Sequence, residues 1–264
     1  MTRNRRTRSP IRSLRDLDLD AHLRDPTIKQ RYVTTLFDAV ARRYDRFTRW
    51  FSFGMDRGWK REMVDRVVAS VAHGGTVLDL ACGTGDLALA VGQRCGLAVK
   101  VIGIDAAPRM LDVAQDRCRA AGVVNVRWVR GDMMAIPLPR SSVDVVTVGY
   151  GFRNTPDYGR AIDEIGRVLR PEGVLLSLDF FKPTRHPWKL LFPLYLTVAG
   201  RLYGWLWHRE PEAYGYIARS ITPWITAGEF EHALTRRGFI VQQMSSRFSG
   251  GIAIHHAELI ALAA

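Results

Sequence analysis

Three apolar runs in the middle of the chain end in a carboxylate: Val77-Leu78-Asp79-Leu80, Gly103-Ile104-Asp105 and Gly131-Asp132-Met133. After the first comes Ala81-Cys82-Gly83-Thr84-Gly85-Asp86, and then a helical pattern starts. Glycines at a strand-to-helix turn allow tight backbone geometry and keep side chains out of the way of a ligand, while the helix N-terminus offers free N–H groups. Gly83-x-Gly85-x-x-Ala88, with Asp105 following in the next run, also satisfies the dinucleotide fingerprint.

Charge separates the readings. A pyrophosphate would be repelled by Asp79 and Asp86 on either side of the glycines, whereas a ligand with an ammonium and a sulfonium would be welcomed. S-adenosylmethionine is such a ligand. Asp105 is placed to accept from both ribose hydroxyls, and Asp132 from the adenine amino group between apolar walls of Met133 and Ile136. Gly149, in Gly149-Tyr150-Gly151 at the end of a fourth run, lets the methionine part approach. The expected cofactor set is Asp79, Gly83, Thr84, Gly85, Asp105, Asp132, Met133 and Gly149. Cys82 reads as a small loop residue.

Positioning these residues requires a sheet. Short apolar runs alternating with helical segments predict βαβ units and a parallel sheet. The strands are read at Thr76 to Leu80, Val99 to Asp105, Val126 to Gly131, Val143 to Tyr150, Val174 to Phe180, Phe239 to Phe248 and His255 to Leu262. Helices fit at Leu87 to Arg94, Arg109 to Ala121, Tyr158 to Leu169 and Thr226 to Arg237. Ahead of them, Tyr32, Val33, Leu36, Val40, Tyr44 and Phe47 recur at steps of three and four, which predicts one amphipathic helix from Lys29 to Phe47. A second follows from Trp59 to Ala72. The segment Trp188 to Trp207 is rich in leucine and aromatics but interrupted by Pro193 and Arg201, too short an apolar run to cross a bilayer. It reads as a helical insertion, residues 188–225, that packs on the domain or covers an apolar substrate.

The chain has 264 residues, 47% apolar and 24% charged, the composition of one globular α/β domain. Half of its net charge of +12 lies in residues 1–15, which hold six arginines and no acid. Residues 1–25 therefore read as a disordered arginine-rich arm, and 26–264 as the domain. The charge is concentrated in that tail, which argues against a nucleic-acid partner and leaves peripheral contact with an anionic membrane open. Three cysteines without ligand spacing suggest neither a disulfide framework nor a metal site. The arginine-rich start lacks a secretory apolar core, so the expected location is cytoplasmic. Nothing in the sequence fixes the oligomeric state.

The motifs Asp79-x-Ala81-Cys82-Gly83-Thr84-Gly85, Asp105, Gly131-Asp132 and Leu169-Arg170-Pro171-x-Gly173 resemble class I S-adenosylmethionine-dependent methyltransferases. That resemblance implies a Rossmann-like, doubly wound seven-stranded sheet, mostly parallel, with the last strand antiparallel. Four further stretches resemble the menaquinone and ubiquinone biosynthesis C-methyltransferases: Phe37-Asp38-x-Val40-Ala41-x-x-Tyr44-Asp45, Ser52-Phe53-Gly54-Met55-Asp56-Arg57-x-Trp59-Lys60, Tyr150-Gly151-Phe152-Arg153-Asn154 and Gly250-Gly251-Ile252-Ala253-x-His255. The resemblance runs from about Arg31 to the C-terminus and carries donor contacts onto Thr84, Asp105, Asp132, Met133 and Gly149. The sequence departs from the family with Thr48 for asparagine, Asp56 for histidine, Gly149 for serine, and Glu172 where a second glycine is common.

The implied reaction is methylation of a ring carbon of a reduced, demethylated prenyl quinone. Such a ring becomes nucleophilic when a hydroxyl loses its proton, so the enzyme must stabilise a phenolate beside the donor. Arg153 and Asn154 are the candidates for holding that oxygen, with Tyr150, Tyr44 or His255 relaying the proton. The rival readings are a secondary-metabolism methyltransferase acting on an aromatic or polyketide, an NAD-dependent oxidoreductase, and a non-catalytic binder driven by the arm.

Overall fold

The computed structural model describes residues 26–71, 73–208, 220–221 and 224–260. The arm read at 1–25 lies outside the described residues, as does most of the second half of the 188–225 insertion. Three helices lead into the sheet: α1 (Pro26–Val40), α2 (Tyr44–Phe51) and α3 (Asp56–Ser70). The single helix expected from Lys29 to Phe47 is split by a 3-10 turn at Ala41–Arg43. Ala41-Arg42-Arg43 holds no proline, glycine or capping residue, so the local sequence does not mark the break. The apolar stripe survives it, with Phe37 and Tyr44 meeting edge to face at 5.7 Å.

The sheet follows as β1 (Gly75–Leu80), α4 (Asp86–Cys95), β2 (Val99–Asp105), α5 (Pro108–Ala120), β3 (Val126–Arg130), β4 (Val143–Gly149), α6 (Tyr158–Val168) and β5 (Leu169–Phe180). Helices α7 (Trp188–His208) and α8 (Ala227–Thr235) precede the hairpin of β6 (Phe239–Arg247) and β7 (Ile252–Leu259). The seven strands lie in the order β3-β2-β1-β4-β5-β7-β6. β1 to β5 pair in parallel, and β7 runs antiparallel to both β5 and β6. The order reverses between β1 and β4, which opens a crevice at their carboxyl ends, where ligands of doubly wound sheets bind.

Strand alternation divides the core. Val77, Val145, Leu176 and Ile254 face α1, α3, α4, α5 and α7, while Leu78, Val146, Leu175 and Ala253 face α6 and α8. Two strands begin several residues earlier than expected. β5 starts at Leu169, five residues ahead of Val174, because the turn after Pro171 stays in the ladder with a shift between Val143 and Val145. Glu172 there takes a φ of 64°, the left-handed conformation that explains the glycine preference noted above. β7 starts at Ile252, since Phe248, Ser249 and Gly250 all have positive φ and close a tight hairpin. Among the described residues no helix is long and apolar enough to cross a membrane, and no group of His, Cys, Asp or Glu could hold a metal ion.

Candidate active site

The crevice at the carboxyl ends of β1 and β4 is a cavity walled by α1, Tyr44 of α2, Lys60 of α3 and the loops after β1, β2, β3 and β4. In the β1–α4 loop Ala81, Gly83 and Gly85 all have positive φ, so the chain can reverse at once from strand to helix. Gly83 has open space where a Cβ would stand, leaving the backbone bare to a ligand. Gly85 has a different task. A Cβ there would lie 2.5 Å from the Trp128 ring, and Gly85 does not line the cavity. Gly149 does, and its absent Cβ makes room for Leu87 at 2.9 Å.

Each acid is held differently. Asp79 is buried and accepts from Thr147 Oγ1 at 2.7 Å and from Ala88 N at 3.1 Å. Burial, with Asp105 and Asp86 nearby, outweighs those bonds and pushes its carboxyl up to about 7. Asp105 accepts from Gly83 N and Ala107 N, both at 2.8 Å, so it braces the glycine loop as well as facing the cavity. Its pKa is raised, chiefly by burial. Asp132 uses one oxygen on Met134 N at 2.9 Å and lines the cavity beside Met133, which is buried. Ile136, expected as a second wall, packs instead into the core facing α6.

Asp86 departs from the expectation of a bare carboxylate. Lys60 Nζ stands 2.8 Å and Arg117 Nη2 2.6 Å from it. Burial alone would raise Asp86, but these two cations outweigh it and hold the carboxyl below its ordinary range. Arg117 also reaches Asp45 at 2.9 Å, and Asp45 accepts from Thr84 Oγ1 at 2.5 Å. On the other side Lys60 pairs with Asp56 at 3.2 Å, and Asp56 accepts from Ser52 Oγ at 2.8 Å. A chain of alternating charge thus fastens α2 and α3 over the β1–α4 loop. Of this chain, Asp45, Asp56 and Lys60 lay in quoted motifs without a role, and Arg117, on an ordinary amphipathic helix, gave no signal.

Residues 26–259 match the model of the ubiE/COQ5 methyltransferase family. The chain belongs to that family. S-adenosylmethionine is the cofactor of this methyltransferase, and a bare glycine loop among four carboxylates suits a cationic donor. Demethylmenaquinone methyltransferases of Staphylococcus aureus strains Mu50 and Newman are each 32% identical to this ubiE/COQ5 member over 232 residues, 88% of this chain and 94% of theirs. The fold is shared with a SAM-dependent methyltransferase from Aquifex aeolicus, with TM-score 0.53 and 20% identity over 75% of this chain and 89% of that one. It is shared also with a putative methyltransferase of Haloferax volcanii solved with its Trm112 activator, with TM-score 0.59 and 18% identity over 85% and 98%.

The five candidates for the acceptor oxygen and its proton in this ubiE/COQ5 member are not all brought together. Tyr44, Tyr150 and Asn154 line the cavity; Arg153 and His255 do not. Arg153 is buried in an ion pair, its Nε 3.7 Å from Asp179 Oδ1 and its Nη1 2.5 Å from Ser220 Oγ. His255 is fully buried, 3.2 Å from the Ala227 carbonyl and between the rings of Phe181 and Phe230. Strand parity explains it: His255 alternates with Ile254 and so faces α8, whereas the residues that turn toward α3 and α7 are Ile252 and Ile254. Burial drives its pKa down to about 4, which leaves the ring neutral.

A second cavity of about 570 Å³ lies beside the first, walled by α7, the α2–α3 corner, Phe180 and Phe248. Its lining is apolar apart from Ser52 and the Tyr195 hydroxyl. Tyr150 of the first cavity stacks on Phe180 of this one, centroids 5.1 Å apart, so a stacked pair of rings stands between them.

Proposed function

We propose that this methyltransferase transfers the methyl of S-adenosylmethionine to a ring carbon of a reduced, demethylated prenyl quinone, of the demethylmenaquinol type. The observation that carries this reading is the apolar cavity that only the stacked Tyr150 and Phe180 rings separate from the donor cavity. It suits an acceptor with a ring at the donor and an isoprenoid tail under α7, each buried methylene contributing about 0.8 kcal/mol. The name borne by the Staphylococcus aureus relatives supports the naphthoquinol ring.

When bound, the donor supplies an electrophilic methyl group on a sulfonium. In our reading the Gly83 backbone, Thr84, Asp105, Asp132, Met133 and Gly149 hold it, with Asp79 as the buried counter-charge. The chain's remaining task is to hold the acceptor ring in line and to keep its oxygen anionic. Asn154 is positioned for this by the bond from its Nδ2 to the Tyr150 carbonyl at 2.9 Å.

Peripheral contact with a membrane belongs to the same reading. Around the mouth of the apolar cavity Trp50, Phe53, Trp188, Leu190, Leu194 and Val198 are exposed. Arg49, Arg57, Arg185 and Lys189 are exposed among them, and the sequence holds no acid between Asp179 and Glu210. That is the chemistry of a surface that meets anionic lipid.

The test is redox-dependent. A quinone ring is electron-poor, so methyl transfer to demethylnaphthoquinone should appear only when a reductant is supplied, on carbon, and faster with a prenyl tail. Equal rates on oxidised and reduced rings, a methyl on oxygen, or indifference to the tail would favour an aromatic acceptor of secondary metabolism.

A further inference from the structure

With Arg153 engaged by Asp179 and Ser220, the anionic oxygen of the acceptor has no cation from the Tyr150-Gly151-Phe152-Arg153-Asn154 motif. Lys60 is the one lysine or arginine among the described residues that line the donor cavity. Its side chain is 16% exposed, and Nζ sits 2.8 Å from Asp86, 3.2 Å from Asp56 and 5.9 Å from the centroid of the Tyr150 ring. An ammonium carries three N–H donors. Two are taken by the carboxylates, and the third remains over the Tyr150 face.

Tyr150 has its own unused group. Its Oη is buried and makes no hydrogen bond, although the residue lines the donor cavity. Its φ of 62° is uncommon for an aromatic residue and occurs at the end of β4, beside the reaction centre. Two unused donors, an ammonium N–H and a phenol O–H, therefore stand in one corner of a cavity whose other charged walls are carboxylates. Lys60 answers Asp56 and Asp86 there, with Arg117 sharing Asp86, so an anion is better suited to that corner than to the rest of the cavity.

The corner lies at the partition between the two cavities. Trp59 and Ser52 line the apolar one while Lys60 lines the other, and Ser52 connects to Lys60 through Asp56. Phe180 backs Tyr150 from the apolar side. A ring with its tail in the apolar cavity reaches the donor at this point.

We propose that Lys60 and Tyr150 Oη form the acceptor-oxygen site, both donating to the phenolate oxygen of the ring that is methylated, with Asp56 and Asp86 as the residues that position Lys60. Both groups donate and neither changes protonation state; the proton lost by the acceptor hydroxyl leaves to solvent, and once the ring carbon has taken the methyl its own hydrogen leaves as a proton while the ring oxygen regains one, which restores the aromatic ring. The assignment rests on the reading of the acceptor as a phenol-type ring. It also gives a task to Asp56, which stands where the family usually has histidine.

The test uses 1-naphthol as a probe whose absorbance reports its ionisation, bound to the protein loaded with S-adenosylhomocysteine. Bound naphthol should ionise at lower pH than free naphthol in the wild type and in Lys60→Arg, and less so in Lys60→Met and Tyr150→Phe. With demethylnaphthoquinol, Lys60→Met should lose about 10²-fold in kcat, Lys60→Arg should recover part, and donor affinity by calorimetry should stay within a few-fold. Should Lys60→Met fail to fold, the alkaline displacement of the kcat profile in Tyr150→Phe decides. Unshifted naphthol in the wild type, or wild-type pH profiles in folded Lys60→Met and Tyr150→Phe, would overturn the assignment. A wild type that shifts naphthol but methylates no quinol would instead count against the quinol reading alone.

Discussion

Thr84 gives its hydroxyl hydrogen to Asp45 at 2.5 Å, joining the donor loop to α2 across 39 residues of sequence. Arg117 closes the triangle by bonding Asp45 and the Thr84 carbonyl, each at 2.9 Å. The threonine expected to touch the donor is thus also the point where the N-terminal helices are fastened to the Rossmann-like core.

Breaking that fastening should loosen donor binding. Asp45→Ala removes the acceptor of Thr84 and one of the acceptors of Arg117, which keeps Asp86 and the Thr84 carbonyl; each lost bond is charge-assisted in a half-buried setting, so donor affinity should fall about tenfold. Stopped-flow measurement should place the loss in a faster donor off-rate. An unchanged off-rate would show that α2 does not hold the loop.

Donor binding should release a proton near neutral pH. Burial holds Asp79 at about 7 in the free protein, and a bound sulfonium favours its ionised form. Affinity should therefore rise as pH climbs through about 7. Because the folded pKa lies above the unfolded one, the residue's contribution to the stability of the free protein is fully present below the unfolded carboxylate range and is lost as pH rises through about 7. Calorimetry in buffers of different ionisation enthalpy should show proton release at pH 6, little at pH 9, and neither in Asp79→Asn.

Arg153→Ala should damage the fold before the chemistry. The substitution leaves Asp179, which is fully buried, without its cation, a loss of about 3–5 kcal/mol. Arg153→Ala/Asp179→Ala should recover much of the thermal stability. A folded, equally stable Arg153→Ala with turnover cut by about 10² would return the arginine to the acceptor.

His255→Gln should keep turnover within a few-fold at neutral pH, since the ring lies in the core facing α8. Its effect belongs to acid stability. The unfolded imidazole takes a proton near 6.5 and the folded one only near 4, so stability from this residue is present above 6.5 and falls away as pH drops toward 4, by up to about 3 kcal/mol. Denaturant unfolding at pH 4.5 and 7 should show a smaller difference in His255→Gln than in the wild type.

Most of the sheet was legible because strand runs and glycine turns are local. That Asp79, Asp105, Asp132 and Gly149 line one cavity was legible since each sits at a strand end, and parallel strands bring their carboxyl ends to one edge whatever the details of packing. The split of the first helix was not legible, and neither was Ile136 facing away from the cavity. Both depend on which neighbour fills a given space.

What the sequence by itself determined is the alternation of strands and helices, the carboxylates at their ends and hence a donor of positive charge. Only the tertiary structure decided which charges are available to a ligand. In the sequence Arg153 reads as a group for the acceptor oxygen and Asp86 as a carboxylate that repels a pyrophosphate, yet one is buried against Asp179 and the other is flanked by Lys60 and Arg117. The physical reason is that a charge taken out of water needs a partner, and the partners of Asp86 come from 26 residues upstream and 31 downstream. His255 shows the same limit, because its face was set by a β7 that begins at Ile252 and by the hydrophobic layer under α8 that it helps to fill.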